Sequence, residues 1–116
     1  INLDDFRGIL VISGDGLVYE VVNGLFDRAD WQKAIKIPFG QIPGGSANAL
    51  ACSSAYLTNE AYIGLSLEHF ATYASFNMSK SIGVPIDIVA YQLSNKQIVH
   101  SFLSFEWAFI ADLDLE

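Results

Sequence analysis

Asp15 stands between Gly14 and Gly16, just after the apolar run Ile9 to Ile12 and the small residue Ser13. A strand that ends in glycine and passes into a helix presents unpaired N–H groups at the helix start, which is an anion-binding geometry. The glycines allow unusual φ values and the close approach of a ligand. Asp15 itself would repel a phosphate in direct contact. Its carboxylate suits two other tasks: holding Mg²⁺ beside a phosphate, or taking the proton of an attacking hydroxyl. A turn aspartate that merely caps a helix is the plain structural alternative.

A second turn, Pro43-Gly44-Gly45-Ser46, repeats the device, with Asn48 two residues on. Ser46 could donate its hydroxyl or cap the following helix. The Asn48 amide could reach a ligand or lock the loop. Pro-Gly-Gly-Ser alone is an everyday turn, but two strand–glycine–helix corners in one small unit are harder to dismiss. In an open α/β sheet such corners share the edge where ligands bind. Neither corner is a Walker loop, which needs Gly-Lys followed by Ser or Thr. "GDGLVY" misses the third glycine of a dinucleotide fingerprint, and no Ser/His/Asp arrangement or hydrolase elbow is readable. His69 and His100 have no companions at metal-ligand spacing. Cys52 is the only cysteine, so there is no internal disulfide and no cysteine-cluster metal site.

The elements that must carry these corners read as follows. Ile9 to Ile12 fits a strand buried on both faces, as in a parallel sheet. Residues 17–28 are helical in pattern, with Leu17, Val18, Val21, Val22 and Leu25 on the apolar side and Glu20, Asn23 and Asp27 on the other. Asp30 is placed to cap a brief second helix through Lys36. Residues 37–42 give a short extended piece. Ser46 is the expected N-cap of the alanine-rich helix "ANALACSSAY", and "TNE" at 58–60 is expected to open another helix to about Tyr73, with Tyr62, Ile63, Leu67 and Phe70 on its apolar face. After Pro85 the texture turns to branched and aromatic residues, which favours strands. Residues 86–93 and 97–109 read as an antiparallel hairpin across "SNK". The first part is thus α/β and the last part β-rich, with a boundary near residues 81–85.

Composition narrows the class. The 116 residues are 52% hydrophobic and 16% charged, too apolar for a disordered tail and light in charge for a small domain. Some apolar faces are therefore expected to be covered by further chain or by a partner. The net charge of −7, with six Lys and Arg in no basic run, argues against a nucleic-acid partner. No signal peptide and no apolar run of transmembrane length is present in the sequence. The chain begins without Met, and both of its ends read as cut from something longer.

"SGDGLVYEVVNGLFDRADWQKAI", "PGGSANALA" and "FIADLDLE" closely resemble the catalytic domain of the sphingosine kinases, within the diacylglycerol kinase and NAD kinase superfamily. The resemblance runs from Gly8 to Glu116 and is weakest over residues 55–81. It implies a lipid kinase that moves the γ-phosphate of ATP, with Mg²⁺, to the primary hydroxyl of sphingosine. It implies that residues 1–83 are part of an α/β ATP-binding domain and that 84–116 begin a β-rich lipid-binding domain, incomplete at both ends. Asp15 resembles the family's hydroxyl-activating residue. Ser13, Gly14, Gly16 and Glu20 match nucleotide-pocket positions. Gly45 and Ser46 match the phosphate-facing turn, and Asn48 belongs to the same motif. Asp114 matches the acidic residue that recognises the sphingoid head group, and Phe109 and Ile110 would line the lipid pocket.

The tail fits that reading. Residues 97–116 carry no Lys or Arg, and Glu106, Asp112, Asp114 and Glu116 follow a run that includes Phe102, Leu103, Phe105, Trp107, Phe109 and Ile110. An apolar channel with carboxylates at its mouth suits a long-chain base with a protonated amine. A sheet core with a solvated acidic end is the plain alternative. Two departures matter. Ala47 stands where the family commonly has glycine, and Gly44 where alanine is usual. The family's first strands precede Ile1, and its phosphate-binding arginines follow Glu116, so these 116 residues alone are expected to be inactive. A diacylglycerol or ceramide kinase is the nearer alternative, and a non-catalytic lipid- or partner-binding module the more distant one. The implied location is cytoplasmic, with transient peripheral contact with membranes.

Overall fold

The structure is a computed structural model that describes residues 1–60, 62–80 and 83–105. After one 3-10 turn at Leu3–Asp5 the chain forms β1 (Ile9–Ser13), α1 (Asp15–Phe26), the short α2 (Trp31–Ala34), β2 (Phe39–Pro43), α3 (Ala49–Leu57) and α4 (Leu67–Met78). A hairpin follows, β3 (Val89–Gln92) and β4 (Ile98–Ser101). β1 and β2 pair in parallel, Ile9 opposite Phe39 and Ser13 opposite Pro43, so both strands end at one edge. β3 and β4 pair antiparallel, Val89 opposite Ser101. The mixed α/β class and the antiparallel hairpin follow the sequence.

α1 buries Val18, Val22 and Leu25, one helical face at i, i+4 and i+7, and packs on β1 beside Val11. α4 buries Phe70 and Ala74 and packs on β2. Its Met78 thioether lies over Gly40, where there is no side chain in the way.

Several elements depart from the sequence reading. β1 is not buried on both faces: Val11 is covered, but Leu10 is 58% and Ile12 74% exposed. Those residues alternate with Val11, and among the described residues nothing closes over that face at Ile12. "TNE" ends α3 and opens no helix. Asn59 takes the left-handed conformation (φ 57°), and the Glu60 N–H returns to the Ala55 carbonyl at 2.8 Å, which closes the helix end. α4 starts instead at Ser66, whose hydroxyl accepts from the His69 N–H, so Tyr62 and Ile63 lie before it. Asp30 precedes α2 but makes no side-chain cap. Its carboxylate takes two hydrogen bonds from Arg28, at 2.7 and 3.0 Å, which hold Asp30 below the usual carboxylate pKa and raise Arg28. The hairpin strands are shorter than read. Lys96 (φ 67°) makes the turn, and the part of the expected second strand from Glu106 to Phe109 lies outside the described residues.

Candidate functional site

The two glycine corners lie side by side because β1 and β2 end in register. β1 delivers Ser13 and then Gly14, the N-cap of α1. β2 delivers Pro43 and the loop 44–48. The corners touch at Gly14 and Gly45: a methyl built on Gly14 would sit 3.2 Å from the Gly45 Cα, and one on Gly45 would collide with the Gly14 backbone. None of the four corner glycines has a positive φ. Gly14, Gly44 and Gly45 serve close approach here, Gly16 has open space beside it, and unusual dihedrals are not what the corners require.

Asp15 is the first residue of α1, yet its carboxylate reaches across to the start of α3. Oδ2 accepts from the Ala49 N–H at 2.9 Å and Oδ1 from the Leu50 N–H at 3.4 Å. Asp15 thus sits at the edge of two helices and stabilises α3 through its unpaired amides and dipole. The capping alternative is therefore realised, on a neighbouring helix, and it fixes the carboxylate's orientation. The third amide of α3, Ala51, donates to Gln41 Oε1 at 2.9 Å, while Gln41 Nε2 donates to the Ser13 carbonyl at 3.0 Å. Gln41 is fully buried with both ends of its amide satisfied. With the amides of α3 occupied in this way, the open helix start at the site is that of α1, which Gly14 leaves without a side-chain cap.

Asn48 locks the second loop. It is buried, takes the left-handed conformation (φ 56°, ψ 43°), and is the N-cap position of α3. Its Oδ1 accepts from the N–H groups of Gly44 (3.1 Å) and Gly45 (2.8 Å), and Nδ2 donates to the Gly45 carbonyl at 2.7 Å. Ser46, expected as the cap, is exposed two residues earlier, because the loop continues through Ala47 and Asn48 before the helix starts. Ala47 has no positive φ, so the left-handed turn falls on asparagine, which tolerates it, and alanine carries no strain.

Ser13, Gly14, Asp15, Gly16, Gly45, Ser46 and Asn48 therefore gather at one edge. The Ser13 hydroxyl donates to the Gly14 carbonyl at 2.8 Å. Glu20 lies further along α1, exposed, its side chain without a hydrogen bond to any described residue. Asp114, Phe109 and Ile110 lie outside the described residues. Cys52, one turn into α3, is near enough to Asp15 to register its charge: burial raises the thiol pKa, and the Asp15 carboxylate raises it further.

A pocket of about 290 Å³ opens directly beside Asp15. Asp15, Gly16 and Tyr19 of α1 form one wall. Tyr91, Val99 and Ser101 of the hairpin form another, and residues 102–105 close it. Phe105 stacks on Tyr91 at 4.9 Å. The lining is mostly apolar and aromatic, with Asp15 as its one carboxylate among the described residues. Phe102, Leu103 and Phe105 belong to the apolar run read from the sequence. Tyr19, Tyr91 and Gln41 were not singled out there; the only trace of Gln41 was a lone amide inside an apolar strand. No group of three or more His, Cys, Asp or Glu among the described residues could hold a metal unaided.

Residues 1–73 match the diacylglycerol kinase catalytic domain. The whole chain is 38% identical to sphingosine kinase 2 of Homo sapiens, covering 17% of that protein. Over 99% of the chain it is 38% identical to human sphingosine kinase 1, covering 29% of it, and 32% identical to sphingosine kinase 2 of Arabidopsis thaliana, covering 22%. The chain thus spans less than a third of the length of these relatives. The matched segment contains both glycine corners, both helices that Asp15 joins and most of α4. On that match, and on the strand–Gly-Asp-Gly–helix corner it contains, the chain belongs to the diacylglycerol kinase catalytic domain family.

Proposed function

We propose that this chain is the catalytic core of a lipid kinase that transfers the γ-phosphate of ATP to the primary hydroxyl of sphingosine. The observation that carries the reading is the apolar, aromatic pocket of about 290 Å³ that opens on the Asp15 carboxylate. A hydrocarbon chain suits such walls, and a hydroxyl at its end would meet the Asp15 carboxylate. The relatives named sphingosine kinase supply the substrate class.

In this reading the lipid hydroxyl oxygen attacks the γ-phosphorus. The bond from that phosphorus to the β–γ bridging oxygen breaks, and ADP leaves. The hydroxyl proton passes to Asp15, whose carboxylate is already oriented by the amides of Ala49 and Leu50. The open amides at the start of α1 and the turn at Gly45 and Ser46 are the groups available to phosphate oxygens, with Ser13, Gly14, Gly16, Glu20 and Asn48 around them. Mg²⁺ would come with the nucleotide: such ions are held by one or two carboxylates plus substrate phosphates, and Asp15 is the carboxylate at this corner. It would supply neutralisation of charge on the phosphate chain. Asp114 would pair with the sphingoid ammonium, with Phe109 and Ile110 beside the chain, as the family resemblance implies. The same reading places the enzyme in the cytoplasm with transient contact with membranes, where its substrate resides, and without a nucleic-acid partner.

The test is transfer of labelled phosphate from Mg-ATP by the full-length protein to sphingosine, diacylglycerol and ceramide, with wild type and Asp15→Asn. Sphingosine labelling that falls at least about a hundredfold in the variant is expected. Labelling of diacylglycerol or ceramide instead would overturn the substrate, and no labelling of any lipid by folded protein would overturn the reaction.

A further inference from the structure

The polar side of α1 does something its sequence pattern does not suggest. Asn23, read on the side of the helix opposite its apolar face, donates from Nδ2 to the His100 carbonyl at 2.8 Å and accepts at Oδ1 from the His100 N–H, also at 2.8 Å. Nδ2 also donates to the Tyr19 carbonyl at 3.0 Å, which anchors the amide to its own helix. Three residues on, the Phe26 ring stacks on the His100 imidazole at 3.6 Å, nearly parallel at 3°.

We infer that Asn23 is a positioning residue: its carboxamide clasps β4 to α1 and so sets the pocket beside Asp15. The inference rests on the lipid-kinase reading above. Both main-chain groups of one residue in an antiparallel strand point to the same side, and the side alternates along the strand. His100 offers both groups to Asn23, so they lie on the edge of β4 away from β3. Asn23 acts there as one residue of an additional strand, covering an edge that no other strand pairs with among the described residues. It also selects register, because a slip by one residue would turn the corresponding groups of Val99 or Ser101 the other way.

The clasp is next to the pocket in both chains of contact. On β4, His100 lies between Val99 and Ser101, which both line the pocket. On α1, Asp15, Tyr19, Asn23 and Phe26 follow at helical spacing along one face. The first two line the pocket, and the last two hold His100. Releasing Asn23 therefore frees the hairpin wall from the helix that carries the carboxylate. The glycine corners, tied together by Asp15, Gln41 and Asn48, stay as they are.

The test uses the full-length protein with Asn23→Ala, Asn23→Asp and His100→Ala. Asn23→Ala is expected to raise the KM for sphingosine about tenfold while the KM for ATP stays within about twofold, and hydrogen exchange over residues 98–101 is expected to speed up. Asn23→Asp, nearly isosteric, should behave alike, because a carboxylate cannot donate to the His100 carbonyl; it carries the comparison should the alanine variant fail to fold. His100→Ala keeps the main-chain pairing and should move the lipid KM far less. An unchanged sphingosine KM, equal rises in both KM values, or unchanged exchange over β4 would each overturn the clasp. Should the wild type phosphorylate no lipid, the functional reading falls, and the exchange measurement still decides the clasp.

Discussion

Asp15 holds two positions at once, and Cys52 reports on both. The carboxylate lies on the pocket rim and accepts the first amides of α3, and Cys52 sits one turn further into that helix. Burial, and then the Asp15 charge, raise the thiol pKa. Since only the thiolate is nucleophilic, alkylation of Cys52 should be slow at neutral pH and rise late on the alkaline side. Asp15→Asn should move that profile to lower pH, measured as the iodoacetamide rate against pH; an unmoved profile would deny the coupling. The linked stability has a definite sign. A thiol whose pKa is raised in the folded state contributes fully below its unfolded pKa, and the contribution is lost as pH rises through the folded value. The loss therefore belongs to the alkaline arm, leaving acid stability untouched. At the second corner, the family's glycine position carries Ala47 without strain, because Asn48 takes the left-handed turn.

Gln41 is what fastens α3 to the sheet. Its amide joins the Ser13 carbonyl, at the end of β1, to the Ala51 N–H. Gln41→Leu would keep the volume but leave the buried Ala51 N–H unpaired and take one of two hydrogen bonds from the Ser13 carbonyl, which still accepts from the Gly44 N–H. A loss of about 2 kcal/mol or more is expected from the denaturant midpoint; an unchanged midpoint would mean that water or a rearranged loop replaces the amide. The other elements were legible to different degrees. α1 was readable because Val18, Val22 and Leu25 repeat at helical spacing on one side. β2 was readable because Pro38 and the glycine turn bound a short extended piece. The start of α4 was not, since Thr-Asn-Glu serves either to open a helix or, with asparagine left-handed, to close one. Local chemistry allowed both, and the Glu60–Ala55 hydrogen bond selects the second.

At the scale of the molecule, the described residues leave apolar surface uncovered. Leu10 and Ile12 stand exposed on β1, a strand whose apolar run suits burial on both sides. The low charged fraction pointed the same way. Residues 1–116 expressed alone should therefore bind a hydrophobic dye strongly and transfer no phosphate, whereas the full-length protein should bind far less dye per molecule. Fluorescence titration of the two checks this; equal binding per molecule would mean that this face stays open in the longer protein as well. At this scale the pocket also acquires its meaning. It is built between the α/β part and the hairpin, so neither part contains it alone.

Residue types and their spacing determined the α/β class, the two glycine corners, the single carboxylate between glycines and the family resemblance, since each is a local pattern of a few neighbouring residues. The gathering of Ser13, Asp15 and the second loop at one edge could be expected from two parallel strands ending together. Tertiary structure alone decided which groups Asp15 touches, that Gln41 and Asn48 serve the scaffold, that Gly14, Gly44 and Gly45 provide clearance, and that Asn23 faces a strand and not water. The physical reason is common to the side chains among these, Asp15, Gln41, Asn48 and Asn23. A side chain with two or more hydrogen-bonding groups has no preferred partner in sequence, and its partner is whichever main-chain group the packing of distant elements brings within about 3 Å.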